Sequence, residues 1–249
     1  MTRQGQGVGA PGARWHPSPN FGDRRNGLAP ALVVLHHTAM QSAEAALERL
    51  CDPHFAAPVS AHYLIAEDGR LWQLVDERAR AWHAGAGFWG GGGDVNSRSI
   101  GIELANPAPH PFAEPQMARL ETLLAGILVR WNIPPEGVIA HSDMAPGRKA
   151  DPGPKFDWRR LARQGLSVWP DPQADTEGDL AQDLARIGYP TGDLALALRA
   201  FRLRFRPWAT GDESAADRIA ARDLAARCPA GVAQGALAGA STAGAGPCS

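Results

Sequence analysis

Residues 31–36 read Ala31-Leu-Val-Val-Leu35-His36, a short unbroken apolar run that includes two β-branched residues and ends on an imidazole. Such a run marks a strand buried on both faces, the kind found in a sheet covered by helices on either side. Polar chemistry starts where that strand stops. Two other stretches share the pattern. In Ser99-Ile-Gly-Ile-Glu-Leu104, Ile100, Ile102 and Leu104 fall on one face and Ser99, Gly101 and Glu103 on the other, so an acid sits opposite the isoleucines. Val138-Ile-Ala-His141 is a last short strand, and it again terminates in a histidine.

Between these strands the sequence predicts a hairpin and two helices. His62–Ala66 and Arg70–Val75 are strand-like and flank Glu67-Asp68-Gly69, a strong turn signal. Ser42 can cap a helix running to about Leu50. Pro115 suits a first helical position, and Met117, Leu120, Leu124, Ile127, Leu128 and Trp131 follow at three- and four-residue spacing until Pro134-Pro135 stops the pattern. The segment before about Pro30 is rich in Gly, Pro and Asn and reads as an extended arm leading into the first strand.

Past residue 170 the character changes. Residues 171–178 read as a linker, and Leu180, Leu184 and Ile187 then form one short helical face. Leu194, Leu198, Phe201 and Phe205 form another, with Arg199, Arg202, Arg204 and Arg206 interleaved as its solvated side, and a third helix around Ser214–Arg227 completes a small bundle. The tail over 229–249 is low in complexity and predicts disorder. The expected organisation is a catalytic domain over 1–170, a linker over 171–178, a helical domain over 179–228 and the tail.

Composition bounds the function. Among 249 residues, 25 Lys and Arg stand against 26 Asp and Glu, which excludes nucleic-acid binding by bulk charge. Hydrophobic residues at 44% and charged residues at 20% allow a buried core and exclude wholesale disorder. With 28 Gly and 21 Pro, loops outnumber long helices. The odd set Cys51, Cys228 and Cys248 fits neither a disulfide framework nor a metal cluster, and suits a reducing compartment. The first twenty residues lack the apolar core of about 7–15 residues that a signal peptide carries, and no run of about 18 apolar residues occurs. The expectation is a cytoplasmic protein with no membrane span, with the cell envelope as the alternative if the start of the chain is incomplete.

The chemistry-bearing candidates are His36, His141 and Asp151, each at or just beyond a strand end. Two imidazoles and a carboxylate suit zinc and leave the fourth tetrahedral position open, the catalytic arrangement. His36 and His37 are adjacent in a strand and point to opposite faces, so at most one enters a given site. Plain alternatives stay open at this point. A histidine at a strand end is commonly just hydrogen-bonded, Asp151 before Pro152-Gly153-Pro154 reads as a turn initiator, Glu103 as a rim carboxylate and Lys149 as a solvated charge.

Five blocks taken together carry a resemblance. Val33-Val-Leu-His36-His37-Thr38, Val59-Ser-Ala-His62-Tyr63, Ala81-Trp-His-Ala-Gly85, Ser99-Ile-Gly-Ile-Glu103 and His141-Ser-Asp-Met-Ala-Pro-Gly-Arg-Lys149-Ala-Asp151-Pro-Gly-Pro154 occur in that order. The chain resembles the zinc N-acetylmuramoyl-L-alanine amidases of the amidase_2 type, whose fold is shared with peptidoglycan recognition proteins and T7-type lysozyme. The resemblance implies an α/β fold with a mixed central sheet flanked by helices and one Zn2+ held by His36, His141 and Asp151. It implies Glu103 as general base and Lys149 as the cation facing the developing oxyanion. Trp82, His83, Ala84 and Asn96 match segments that line the substrate groove, and the loop Gly85–Gly93 would let a glycan-peptide chain approach the backbone. The implied partners are peptidoglycan fragments or muropeptides, met by a monomer.

Some cytosolic relatives carry an arginine where this chain has Pro58 and basic residues where it has Gly90–Gly93. Ala197-Leu-Arg-Ala-Phe201-Arg-Leu-Arg-Phe205-Arg-Pro207 resembles the central helix of the three-helix peptidoglycan-binding modules appended to some amidases. Two other functions fit the same residues, a non-catalytic muropeptide-binding protein and a zinc peptidase cutting within the stem peptide.

Overall fold

The computed structural model describes residues 8–108, 110–172 and 177–230. The N-terminal arm contributes two short strands, β1 (Arg14–Trp15) and β2 (Phe21–Gly22). The opening run becomes β3 (Leu32–His37), followed by α1 (Ala43–Cys51), whose Ser42 Oγ accepts the Ala45 N–H at 3.1 Å as the cap predicts. The hairpin is β4 (Tyr63–Ile65) and β5 (Leu71–Gln73), paired antiparallel, and β6 (Arg80–Ala81) pairs with β2. Then come α2 (Val95–Arg98), β7 (Ser99–Leu104), α3 (Glu114–Trp131), β8 (Val138–Ala140), α4 (His141–Met144) and α5 (Trp158–Arg163).

The main sheet has the order β1-β5-β4-β7-β3-β8, so β3 and β7 lie in its middle and run parallel to each other. Helices cover both faces, which is why β3 is apolar without alternation. On one face Val33, Leu35, Ile100, Ile102 and Leu104 pack with Leu120, Leu124 and Ile127 of α3. On the other, α1 covers Leu64 and Trp72, while Val34 and Ile139 meet the helices that follow residue 177. The expected mixed sheet flanked by helices is the fold observed. One boundary differs: β8 stops at Ala140 and His141 opens α4, because the Asp143 carboxylate accepts the Ala140 N–H at 2.9 Å and turns the chain.

The C-terminal helices are α6 (Leu180–Ile187), α7 (Leu194–Phe205) and α8 (Ala215–Arg227), at the predicted places. Leu184, Phe201, Phe205, Ala221 and Leu224 share one apolar cluster with Leu32, Val34, Ile139 and Met144 of the sheet side. The solvated arginine face predicted for α7 is corrected. Arg202 and Arg204 are buried, paired with Asp217 and Asp143, and only Arg199 is exposed. Spacing cannot tell an outward guanidinium from one turned in toward a buried acid on another element. Residues 173–176 of the expected linker and 231–249 of the expected tail lie outside the described residues. Among the described residues no helix is long and apolar enough to cross a membrane.

The Gly85–Gly93 loop is largely occupied by the chain itself. Trp89 is buried edge-on against Tyr189 at 4.9 Å, the Gly90 N–H bonds to Gly188 O at 3.0 Å, and a Cβ at Gly87 would fall 2.1 Å from the Met144 methyl. The close backbone approach that these glycines permit is made by neighbouring elements rather than left open.

Candidate active site

Strand register assembles the site. β3 and β7 pair His36 with Glu103, and β3 and β8 pair Leu35 with Ala140, so His141 follows one step on at the level of His36. All three lie at the carboxyl ends of parallel strands, where open α/β sheets form their crevices. The turn after α4 returns Asp151, whose carbonyl accepts the Ser142 N–H at 3.0 Å. A cavity of about 430 Å³ opens here, lined among others by His36, Arg49, Glu103, His141, Lys149 and Asp151.

His36 Nδ1 lies 2.9 Å from His141 Nδ1, and both nitrogens lie 3.0 Å from Asp151 Oδ2. Four-coordinate zinc with ligands at about 2.0–2.1 Å sets them roughly 3.3 Å apart, so a small inward triangle of this size opens slightly to take the ion. Hydrogen bonding behind the triangle decides which way each imidazole presents itself. Ser99 Oγ donates its one hydrogen to Val95 O at 2.5 Å, so it accepts from His83 Nε2 at 3.1 Å. His83 Nδ1 is then an acceptor and receives a hydrogen bond from the N–H of His36 Nε2 at 3.0 Å, which leaves a lone pair on His36 Nδ1. His141 Nε2 donates to Ala84 O at 3.0 Å and likewise presents Nδ1 inward. Two nitrogen lone pairs and a carboxylate oxygen converge with no donor of their own between them, and a cation is what that donor set fits.

Electrostatics agree. Burial, then the neighbouring His141, lowers His36 to about 4, and burial followed by His36 and His62 holds His83 well below its usual range, so both rings are neutral. Burial opposes ionisation of Asp151, yet the imidazoles of His141 and His36, each 3.0 Å from Oδ2, outweigh it and hold the carboxyl below the usual carboxylate range. Burial, and then the Asp151 charge, pushes Glu103 up to about 8 against the opposing pull of Lys149. Glu103 Oε2 is buried and has no hydrogen-bond partner among the described residues. The metal-free carboxyl keeps its proton at neutral pH; a cation held at the triangle would favour its ionised form, which then stands as an unpartnered acceptor facing this cavity.

The structure thus brings together His36, His141, Asp151, Glu103 and Lys149. His37 also lines the cavity but stays out of the triangle, its Nδ1 bonded to Pro152 O at 3.0 Å. The groove residues divide. Trp82 is half-buried, whereas His83 has both ring nitrogens committed to the relay behind His36. Ala84 is fully buried and Asn96 is 6% exposed, its Oδ1 accepting the backbone N–H groups of His83 at 3.0 Å and Ala84 at 2.8 Å. Those two stand behind the site and not in the groove, since their polar groups are spent on the chain.

Ser99 and Gly101 share the Glu103 face, and alternation alone assigns neither a role. Gly101 admits the His83 ring, for a Cβ there would lie 2.4 Å from His83 Cγ. Arg148, beside Lys149, donates to Ala84 O at 2.7 Å and to Ala86 O, bracing the carbonyl that His141 uses. Nothing in the spacing separates Arg148 from an ordinary loop arginine.

Residues 26–154 match the family described as Amidase_2, N-acetylmuramoyl-L-alanine amidase. The chain is 36% identical over 222 residues to the N-acetylmuramoyl-L-alanine amidase AmiD of Escherichia coli, covering 75% of this chain and 78% of that one. It is 33% identical over 164 residues to the 1,6-anhydro-N-acetylmuramyl-L-alanine amidase AmpD of Citrobacter freundii, covering 60% of this chain and 88% of that one. A solved structure of Escherichia coli AmiD with anhydro-N-acetylmuramic acid-L-Ala-D-gamma-Glu-L-Lys superposes with a TM-score of 0.74 at 34% identity, covering 83% of this chain and 93% of that chain. AMPDH3 of Pseudomonas aeruginosa with anhydromuramic pentapeptide gives 0.72 at 29% identity, covering 86% and 96%. Sheet, site and sequence agree, and the chain belongs to the Amidase_2 family of N-acetylmuramoyl-L-alanine amidases.

Proposed function

We propose that this protein is a zinc amidohydrolase that cuts the amide between the lactyl group of N-acetylmuramic acid and L-alanine in muropeptides, in peptidoglycan turnover and recycling. The observation that carries the reading is the convergence of three lone-pair donors beside a buried, unpartnered carboxylate. His36, His141 and Asp151 are the metal's ligands in this reading. Zinc held there supplies Lewis acidity toward the scissile carbonyl and lowers the pKa of water to about 7. Glu103 Oε2 accepts the proton of the attacking water and returns it to the departing amine of L-alanine. Lys149, exposed at the cavity, faces the charge that develops on the carbonyl oxygen, a contact whose removal costs on the order of 10²–10³ in rate at comparable sites. Trp82 is left as the groove candidate.

The two relatives solved with anhydro-muramyl peptides favour soluble muropeptide as substrate. Among the described residues Cys51 and Cys228 are free thiols, which supports a reducing compartment such as the cytoplasm. A complete set of ligands and base speaks against a purely recognising protein on this fold. The deciding experiment is mass spectrometry of anhydro-muropeptides and of intact sacculi after incubation with zinc-loaded protein. Release of an intact stem peptide led by L-alanine is expected, a cut inside the peptide would make it a peptidase, and no cleavage would refute both enzymes. Glu103→Ala is expected to keep zinc and lose cleavage, and a variant stripped of zinc would overturn the base assignment.

A further inference from the structure

We infer that the C-terminal helices serve as a brace for His141, with Asp143, Tyr189 and Arg204 as positioning residues; this rests on the reading of His141 as a metal ligand. His141 opens α4, a single turn that has no stability of its own. What holds the turn is the fully buried carboxylate of Asp143. Its Oδ2 accepts the Ala140 N–H at 2.9 Å and Arg204 Nη1 at 2.7 Å, and its Oδ1 accepts the Tyr189 hydroxyl at 2.8 Å. Tyr189 follows α6 and Arg204 lies on α7, so two of the carboxylate's three partners come from the C-terminal helices.

Arg204 reaches further. Its Nη2 donates to Val138 O at 2.9 Å and Ser167 Oγ at 3.0 Å, and its guanidinium lies 4.2 Å from the centre of the Trp158 ring. One side chain from α7 therefore grips both the start of β8 and the turn that carries His141. The far side of the imidazole is held from the same helices. Tyr189 packs on Trp89 and Gly188 O takes the Gly90 N–H, within the loop that begins just after Ala84, whose carbonyl accepts from His141 Nε2.

A junction meant only to attach a helical unit is served as well by apolar contacts, because burying an ion pair costs desolvation that packing does not. The ion pair here converges on the turn bearing His141 and fixes its backbone, while Tyr189 and Gly188 hold the loop that follows Ala84, the hydrogen-bond partner of that ring. Groups that orient a ligand from behind commonly carry 10–100-fold in metal affinity.

The test uses the full chain with Tyr189→Phe, Arg204→Gln and a control, Leu224→Ala, which opens the same apolar cluster on α8 far from Asp143 in sequence and contact. Near-UV circular dichroism selects a temperature at which each is folded, and zinc affinity is read by competition with a chromogenic chelator. Expected are a loss of several-fold for Tyr189→Phe, 10–100-fold for Arg204→Gln, and less than twofold for the control despite its lower melting temperature. If Arg204→Gln fails to fold, Tyr189→Phe and the control decide. Unchanged affinity in Tyr189→Phe, or an equal loss in the control, overturns the brace while leaving the metal reading intact. Absence of zinc binding by the wild type refutes the metal reading, and the brace with it.

Discussion

Replacing Ser99 with alanine removes a hydroxyl two hydrogen bonds away from the triangle of His36, His141 and Asp151. In the wild type that hydroxyl accepts from His83 Nε2 at 3.1 Å because its own hydrogen is committed to Val95 O. Without it, the buried His83 ring has two choices. Keeping its proton on Nε2 leaves a buried donor without an acceptor, at a cost of about 1–3 kcal/mol. Moving the proton to Nδ1 avoids that cost, but Nδ1 faces His36 Nε2 across 3.0 Å, so His36 must then carry its own proton on Nδ1, 3.0 Å from Asp151. That state is comfortable without metal and incompatible with coordination. A cation must drive the ring back and meet the cost of the orphaned donor, so affinity falls by the equivalent of about 1–3 kcal/mol, roughly 5–150-fold. Competition against a chromogenic zinc chelator at neutral pH measures this directly, with circular dichroism confirming that the variant is folded. Affinity within twofold of wild type would refute the relay and the tautomer it assigns to His36.

Two further predictions concern pH. Glu103 is raised to about 8 by burial and then by Asp151, so between its ordinary value of 4.5 and 8 the folded metal-free protein holds a proton that the unfolded chain releases. Stability from this group is present at low pH and falls as pH rises through that window. The metal-free Glu103→Gln protein is therefore expected to gain on wild type in urea unfolding between pH 5 and pH 8.5, and a difference independent of pH would count against a buried, raised carboxyl. Asp217 behaves in the opposite sense. Burial opposes its ionisation, but hydrogen bonds from Arg202 and Ser214, with Arg206, hold it below 3.8. Its contribution is complete above that value and is lost as pH falls below it. Asp217→Asn is expected to cost on the order of 3 kcal/mol at neutral pH and to flatten the acid side of the stability curve between about pH 4 and 2; an unaltered acid limb would be the contrary result.

Much of the fold was legible because its elements announce themselves locally. The strands at Leu32–His37 and Ser99–Leu104 are apolar runs, the Tyr63–Gln73 hairpin carries its turn residues, and the Glu114–Trp131 helix has an unbroken apolar stripe. The site was partly legible for a related reason. His36 and Glu103 end neighbouring parallel strands, and a strand's period of two tells which face each side chain takes.

The limit is set by where partners lie in the chain. Sequence by itself determined the strands, the amphipathic helices, the face on which Glu103 stands, and the order of motifs that marks the family. Only the tertiary structure decided that His83 and Ser99 stand behind His36, that Asn96 and Ala84 support the site from inside, and that Arg204 reaches across 61 positions to Asp143 beneath His141. Periodicity reports the environment of a residue relative to its own element. A hydrogen bond between side chains remote in sequence depends on register and packing between elements, and that information exists only once the chain has folded.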